Sequence, residues 1–452
     1  MTEPTDNRLA EQIKAALEEN NVEQLRFLLR KERPEDIADA CHTLHADECR
    51  RILDLLPPDV AGRVLYQLDP VVRGEIAELL DPRTTSDALR TLPPEEVADI
   101  LGGLPEDVVD SVLGHMTLEE SAEIQELMAY SPESAGGIMS PDVFALDEDT
   151  TVAGAIQALR ALEEVEGISY LYVTDRERRL TGVMPLKRLI TADDERMRLG
   201  DIATRDVISV RADADQEEVA HLIEKYDFRA IPVVGHGGVL IGRIKTDDII
   251  DVIEEEATED MQKIGSVLPL HTSVLNAPYA TLYLRRVGWL VLLVFVNIFS
   301  GAGIAHFEEL IESVVALVFF LPLLIDSGGN SGAQAATLIV RSLATGDVRT
   351  GDYLRLLFRE IAVSLTLGIS MAVAVFFLAL YRTDMRVALV VSTSMVSIVI
   401  FGSLLGMSLP FILGRFKMDP ATASAPLVTS VADVGGVLIY LSIANALLEI
   451  TG

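Results

Sequence analysis

Asp433 interrupts residues 425–441, which otherwise read as an apolar membrane-crossing helix. A carboxylate at the centre of a bilayer costs about 2.5–3.5 kcal/mol on insertion scales. It persists where it faces a water-filled path or a bound cation, or where a neighbouring helix hydrogen-bonds it. We read the cation path first and keep the helix–helix bond as the alternative. Thr429 lies one turn earlier, so its carbonyl and hydroxyl can address the same space. Pro426 has no N–H, which predicts that the Thr422 carbonyl loses its helical partner. Oxygen donors beside a carboxylate suit a hard divalent cation better than an organic substrate.

A second polar segment, Asp326-Ser-Gly-Gly-Asn-Ser-Gly-Ala-Gln334, falls inside another apolar run. Asn330 and Gln334 are four apart and share a helical face. The paired glycines predict an interruption of the helix, tolerated where backbone lines a cavity. Gly328 and Gly332 also form a Gly-x-x-x-Gly pair, which is a close-packing signal. A seam between two copies could enclose a path, so both readings stand. Gly402 and Gly406 repeat that spacing in a later run, where packing is the default.

A third group is acidic. Asp247, Asp251, Glu255 and Glu259 recur every four residues, with Asp248, Glu256 and Asp260 beside them. Like charges at this spacing disfavour a helix by about 0.2–0.5 kcal/mol per pair. A solvated acidic face is the plain reading. The segment leads directly into the apolar half, however, so it is also a mechanical link. Glu95, Asp99, Asp215, Glu217, Glu224 and Asp227 could face it, and facing acidic surfaces repel unless cations sit between them.

The elements that must position these groups follow from composition. Residues 1–275 hold 27 Lys+Arg against 58 Asp+Glu, whereas residues 276–452 hold 10 against 11. An acidic, soluble half is thus joined to a nearly neutral apolar half. The acidic half argues against nucleic acid, whose phosphates require Lys and Arg, and favours cations. No signal peptide is expected at the charged start. Cys41 and Cys49 lack metal-site spacing. The seven histidines are scattered and no hydrolase motif stands out, so an enzyme is not expected.

Apolar runs at 287–305, 314–340, 356–380, 387–413 and 427–448 are each long enough to cross a membrane. Arg285 and Arg286 precede the first. Arg341, Arg349 and Arg355 lie between the second and third, with Arg359 in the first turn of the third, and Arg415 and Lys417 lie between the fourth and fifth. The opposite loops hold only Arg382 and Arg386. The positive-inside rule places the soluble half in the cytoplasm and the C-terminus outside a cell membrane crossed five times.

Residues 1–130 read as short helices. The phrases beginning at Leu56, Leu92 and Leu104 repeat a Leu-Pro opening followed by apolar residues at helical spacing, the mark of a stacked superhelix. Residues 138–199 and 200–256 repeat one another: Ile138-Met-Ser-Pro-Asp-Val-Phe-Ala-Leu146 matches Ile202-Ala-Thr-Arg-Asp-Val-Ile-Ser-Val210. Each half reads as strand, helix, two strands and helix, and the pair resembles a tandem CBS module. That resemblance implies an ATP-type nucleotide in the cleft, its ribose held by an Asp. Asp248 matches in Gly242-Arg-Ile-Lys-Thr-Asp-Asp248. Lys245 replaces the usual threonine, and Arg188 stands at the Asp position of the first repeat, so a bound and an empty cleft both stay open.

Ser327-Gly-Gly-Asn-Ser-Gly-Ala-Gln-Ala-Ala-Thr337, Pro426-Leu-Val-Thr-Ser-Val-Ala-Asp433 and Ile253-Glu-Glu-Glu-Ala-Thr-Glu-Asp260, in one chain, resemble the MgtE magnesium transporters. The resemblance implies a multidomain chain: an all-α superhelical N-domain (1–130), an α/β CBS pair (138–199 and 200–256), a connecting helix (246–275) and a five-span α-helical pore domain (280–452). It implies a homodimeric Mg²⁺ channel in membrane lipid with its pore on the dimer axis, where Asp433, Thr429 and Asn330 meet the ion. It further implies that cytoplasmic Mg²⁺ shuts the pore by gluing the acidic domains together. The regulatory ligands would come from Glu95, Asp99, Asp215, Glu217, Glu224, Asp227, Asp248, Asp251, Glu256, Glu259, Asp260 and Asp419. Such sites bind at roughly millimolar levels. Ala333 and Asp326 depart from the family pattern: one removes a polar pore group and the other adds a carboxylate. The rival reading is a proton-coupled divalent-cation transporter with Asp433 as relay.

Overall fold

A computed structural model describes residues 5–162, 168–192, 194–270, 274 and 277–448. The chain divides into two compact units. One holds residues 1–255 with 271–277, and the other residues 256–270 with 278–452.

The first unit begins with ten short helices, from Thr5–Glu18 to Leu118–Met128. Five of them, starting at Pro34, Pro58, Pro70, Pro82 and Pro94, carry proline in their first turn. There the missing N–H costs nothing and the fixed φ is already helical. Each helix buries one stripe. Ile13, Ile37, Ile52, Ile76, Leu89, Ile100 and Leu101 are all but fully enclosed and join one continuous core. Cys41 and Cys49 are buried in it as free thiols. Their role is packing, since the Cys49 thiol donates to the Cys41 carbonyl at 3.3 Å.

Two three-stranded sheets follow. Strands β1 (Ala145–Asp147), β2 (Tyr170–Thr174) and β3 (Leu180–Pro185) form the first, and β4 (Val210–Arg211), β5 (Ala230–Val234) and β6 (Leu240–Lys245) the second. In each, the first pairing is parallel and the second antiparallel. Each shifts register at the corresponding place, Val173/Thr174 and Val233/Val234. The repeats also trade backbone: Ser140 bridges to Arg243 and Thr204 to Val183. The sequence repeat is therefore a structural one, with the segment leading into each half making one bridge to the last strand of the other. A helix over Thr246–Ile264 leaves β6. It is shorter than the connecting helix expected over 246–275: Ser266 turns left-handed at φ 58° and the chain leaves helical geometry.

The second unit contains five helices of spanning length and hydropathy: Tyr279–His306, Ala316–Ala344, Tyr353–Arg382, Met385–Arg415 and Ala425–Leu448. We call them spans one to five. Span four is the hub, packing against spans two, three and five, while span one packs against span five. The expected interruption of span two is overturned, since Ala316–Ala344 is one continuous helix through Gly328 and Gly329. Its glycines serve close approach instead. A Cβ on Gly402 would lie 2.1 Å from the Gly328 carbonyl oxygen, and one on Gly406 would lie 1.9 Å from that of Gly332. The two Gly-x-x-x-Gly pairs therefore interlock within one chain, span two on span four, rather than lining a seam between copies. Ser331 and Ser403 hydroxyls bond at 2.5 Å across the same contact. The Tyr440 hydroxyl donates to the Leu317 carbonyl at 3.0 Å, tying span five to span two.

The reading of Pro426 is corrected as well. Span five starts at Ala425, which puts Pro426 in its first turn, where no helical bond is lost. The Thr422 carbonyl belongs to the preceding turn and accepts the Ser424 N–H at 2.7 Å.

Candidate functional site

Span two presents Asp326, Asn330 and Gln334 along one exposed stripe, at four-residue intervals. Span five lies beside it. A Cβ on Gly329 would be 3.2 Å from the Thr429 methyl carbon and 3.6 Å from Asp433 Oδ1, so this glycine admits the Thr429–Asp433 face to span two. Asn330 Nδ2 donates to Asp326 Oδ2 at 2.9 Å. Asp326 and Asp433 lie close enough for their charges to interact. The Thr429 hydroxyl donates to the Pro426 carbonyl at 3.0 Å, which leaves its oxygen lone pairs as acceptors. The unbroken helix means that side chains, not an unwound backbone, provide the oxygens of this strip. The three expected pore residues thus converge on one face, joined by Asp326.

The acidic residues expected to be regulatory separate into groups. In the first unit, the helix Pro94–Gly102 brings Glu95, Glu96 and Asp99 to the head of the Thr246–Ile264 helix, where Asp248 and Asp251 sit. Glu95 is 9% exposed, and its Oε2 lacks a hydrogen-bond partner among the described residues. Burial raises its carboxyl above the ordinary range, opposed by a bond to Ser140 and the charge of Lys245. Burial, then the Glu95 charge, raises Glu96 to about 7. Burial raises Asp99 to about 6 against the pull of Arg73, although much of the residue's surface stays open to solvent. Asp248 is raised by burial too, while Lys245 opposes through its charge and through its N–H, which Asp248 Oδ2 accepts at 3.1 Å. Four crowded carboxyls thus face three cations, Arg73, Lys245 and, at Asp248, Arg243. Such an excess is relieved by a proton or by a further cation.

Glu224 and Asp227 do not join this patch. They edge a hollow of about 530 Å³ that also exposes Phe228, Ile250 and Ile253. Asp215 and Glu217 lie at the other end of the same helix, Gln216–Tyr226, where Asp215 Oδ1 caps the Glu217 N–H at 2.8 Å.

In the second unit, Glu259, Asp260 and Asp419 come together around Lys263. Its ammonium bonds Asp419 Oδ2 at 2.6 Å and also Glu259. Burial, then Asp419, raises Asp260. Glu256 lies one turn before Asp260 on the same helix. Among the described residues, no three His, Cys, Asp or Glu side chains form a ready-made metal cage.

Sequence reasoning missed Glu96, Arg73, Lys245 and Lys263. The spacing of Glu259 and Lys263 was a readable signal for the last. Arg73 comes from a distant helix and had no such signal.

The family model described as the divalent cation transporter MgtE matches residues 321–443. The MgtE intracellular N domain model matches 32–133, and the CBS domain model matches 135–195 and 199–255. The chain is 42% identical over 329 residues to the magnesium transporter MgtE of Thermus thermophilus, covering 73% of each chain. It is 37% identical over 339 residues to that of Bacillus subtilis, covering 74% of each. Among solved structures, the cytosolic domain of the Mg²⁺ channel MgtE in complex with ATP is 35% identical, with a TM-score of 0.49 over 54% of this chain and 99% of that one.

Proposed function

Because the chain belongs to the MgtE family of divalent cation transporters, we propose that it is a magnesium-selective channel closed by its own ion. The observation that carries this reading is the intramembrane strip of Asp433, Asn330 and Asp326. On one protomer the strip is open at the surface of spanning helices. Facing lipid, the two carboxylates would lack a counter-charge at a cost of several kcal/mol. A second copy set against this face encloses them around a central path, which is the homodimer of the proposal. Paired Asp433 side chains then require a counter-charge, and a divalent cation supplies it. Mg²⁺ sheds its water reluctantly and crosses with part of its shell, held by one or two carboxylates at a site.

The soluble domains lie in the cytoplasm in this reading, and the C-terminus lies outside, following the basic loops. Cytoplasmic Mg²⁺ binds the Glu95–Glu96–Asp99–Asp248 patch, with Asp251 beside it, and the Glu259–Asp260–Asp419 group, and closes the pore. Asp215, Glu217, Glu224, Asp227 and Glu256 complete the proposed regulatory set. The crowded, proton-hungry carboxyls support it, since they are held together more easily with a cation between them. With no ready-made cage, these sites are weak and water-mediated. ATP at the repeat cleft, on Asp248, is part of the proposal and is tested by equilibrium dialysis of the full-length protein.

The main test is Mg²⁺ flux in proteoliposomes. Asp433→Ala is expected to abolish it in a protein that still elutes as a folded dimer, and wild-type flux in that variant would overturn the pore assignment. Wild-type uptake should continue when only the pH gradient is collapsed, driven by about 2.3 kcal/mol per charge per 100 mV. Uptake that stops would establish the proton-coupled alternative.

A further inference from the structure

We propose that Asp326 sets the cation preference of the Asp433 site, by adding a fixed charge there and by orienting the amide of Asn330. This inference rests on the conduction reading above and extends it to a residue that departs from the family pattern.

The chemistry of the pair determines the orientation. An ionised carboxylate only accepts hydrogen bonds, so Asn330 must offer Asp326 its nitrogen. The bond is 2.9 Å. The amide oxygen then points elsewhere, and among the described residues it accepts no bond. Of the two ends of Asn330, the one left for the strip is therefore the one that can ligate a cation. Without Asp326 the amide could equally present its NH₂ group, which repels a cation. Gly329 places Asp433 one residue away along span two. Asp326 also brings a second negative charge within interaction range of Asp433. Two carboxylates per chain favour a divalent over a monovalent cation, because the attraction to a point site scales with ion charge.

The test uses full-length protein in planar bilayers or patches, with Mg²⁺ and Na⁺ on opposite sides. Asp326→Asn is expected to keep conducting. Its reversal potential should shift towards Na⁺, and the Mg²⁺ concentration that blocks the Na⁺ current should rise roughly tenfold or more. Asn330→Ala should weaken block as well, and the double variant should lose less than the sum of the singles, as expected for side chains acting through one bond. Additive losses, or an unchanged reversal potential and block in a conducting Asp326→Asn channel, would overturn the proposal. Should that variant not accumulate, Asp326→Glu keeps the charge and acceptor and is expected to hold Mg²⁺ block within about threefold of wild type. A tenfold loss there would also overturn it. Asp433→Ala separates the two layers. If that variant still conducts, the conduction reading falls and this inference with it; if it does not conduct and Asp326→Asn behaves as wild type, only this inference falls.

Discussion

Glu96→Gln is expected to remove a large share of the pH dependence with which the N-terminal helices dock on the head of the Thr246–Ile264 helix. In the docked state, burial and the Glu95 charge hold Glu96 at about 7, against 4.5 for an ordinary glutamate. A carboxyl raised in this way stabilises docking fully below about pH 4.5. That contribution falls as pH climbs and is gone above about 7. The span corresponds to about 3 kcal/mol, or roughly three hundredfold in an opening equilibrium. Asp99 adds in the same direction, with less weight because solvent reaches it. A divalent cation bound to the patch replaces the proton, so the loss at pH 8 should be reversed by millimolar Mg²⁺. The assay is hydrogen exchange of full-length protein, following amides of Pro94–Gly102 and of the first turns after Thr246, corrected for intrinsic rates. Wild type without divalent cation should lose protection between pH 5 and pH 8 and regain it with Mg²⁺. Glu96→Gln should keep clearly more protection than wild type at pH 8 without Mg²⁺. Equal protection of wild type at both pH values, with and without Mg²⁺, would refute the reasoning, because the carboxyls would then carry no docking cost for a cation to relieve.

Gly406→Ala should lower the melting temperature of the detergent-solubilised protein, since its Cβ would lie 1.9 Å from the Gly332 carbonyl oxygen, a backbone atom on a packed helix. Overpacking of this kind costs about 1–3 kcal/mol, and an unchanged melt would contradict the interlocked spans. Lys263→Met should leave Glu259 and Asp419 without the ammonium they bond, with Arg341 still acting on Asp260. The Mg²⁺ concentration that half-closes the channel should then fall severalfold in flux titrations; an unchanged or higher midpoint would show that this group does not take the ion.

What sequence alone determined was local or periodic. Apolar run length identified five spans, because crossing a bilayer requires about twenty apolar residues wherever they later pack. Proline openings marked helix starts, because the cost of a missing N–H depends only on position within one helix. The internal repeat identified the paired sheets, and Asp433 stood out because a charge in an apolar run is anomalous whatever surrounds it. Tertiary structure decided the partners. Gly328 and Gly332 carry the same packing signal whether they meet another copy or span four, and only the fold shows that Gly402 and Gly406 receive them. Pro426 could be read as a break until span five was seen to begin at Ala425. Asp326 was an unplaced carboxylate until its bond to Asn330 appeared, although the four-residue spacing allowed that bond. Arg73, Glu96 and Lys245 came from separate elements to one patch. Spacing along the chain encodes which residues share a face, whereas the identity of the facing element depends on chain closure over long sequence separations, and no local pattern records it.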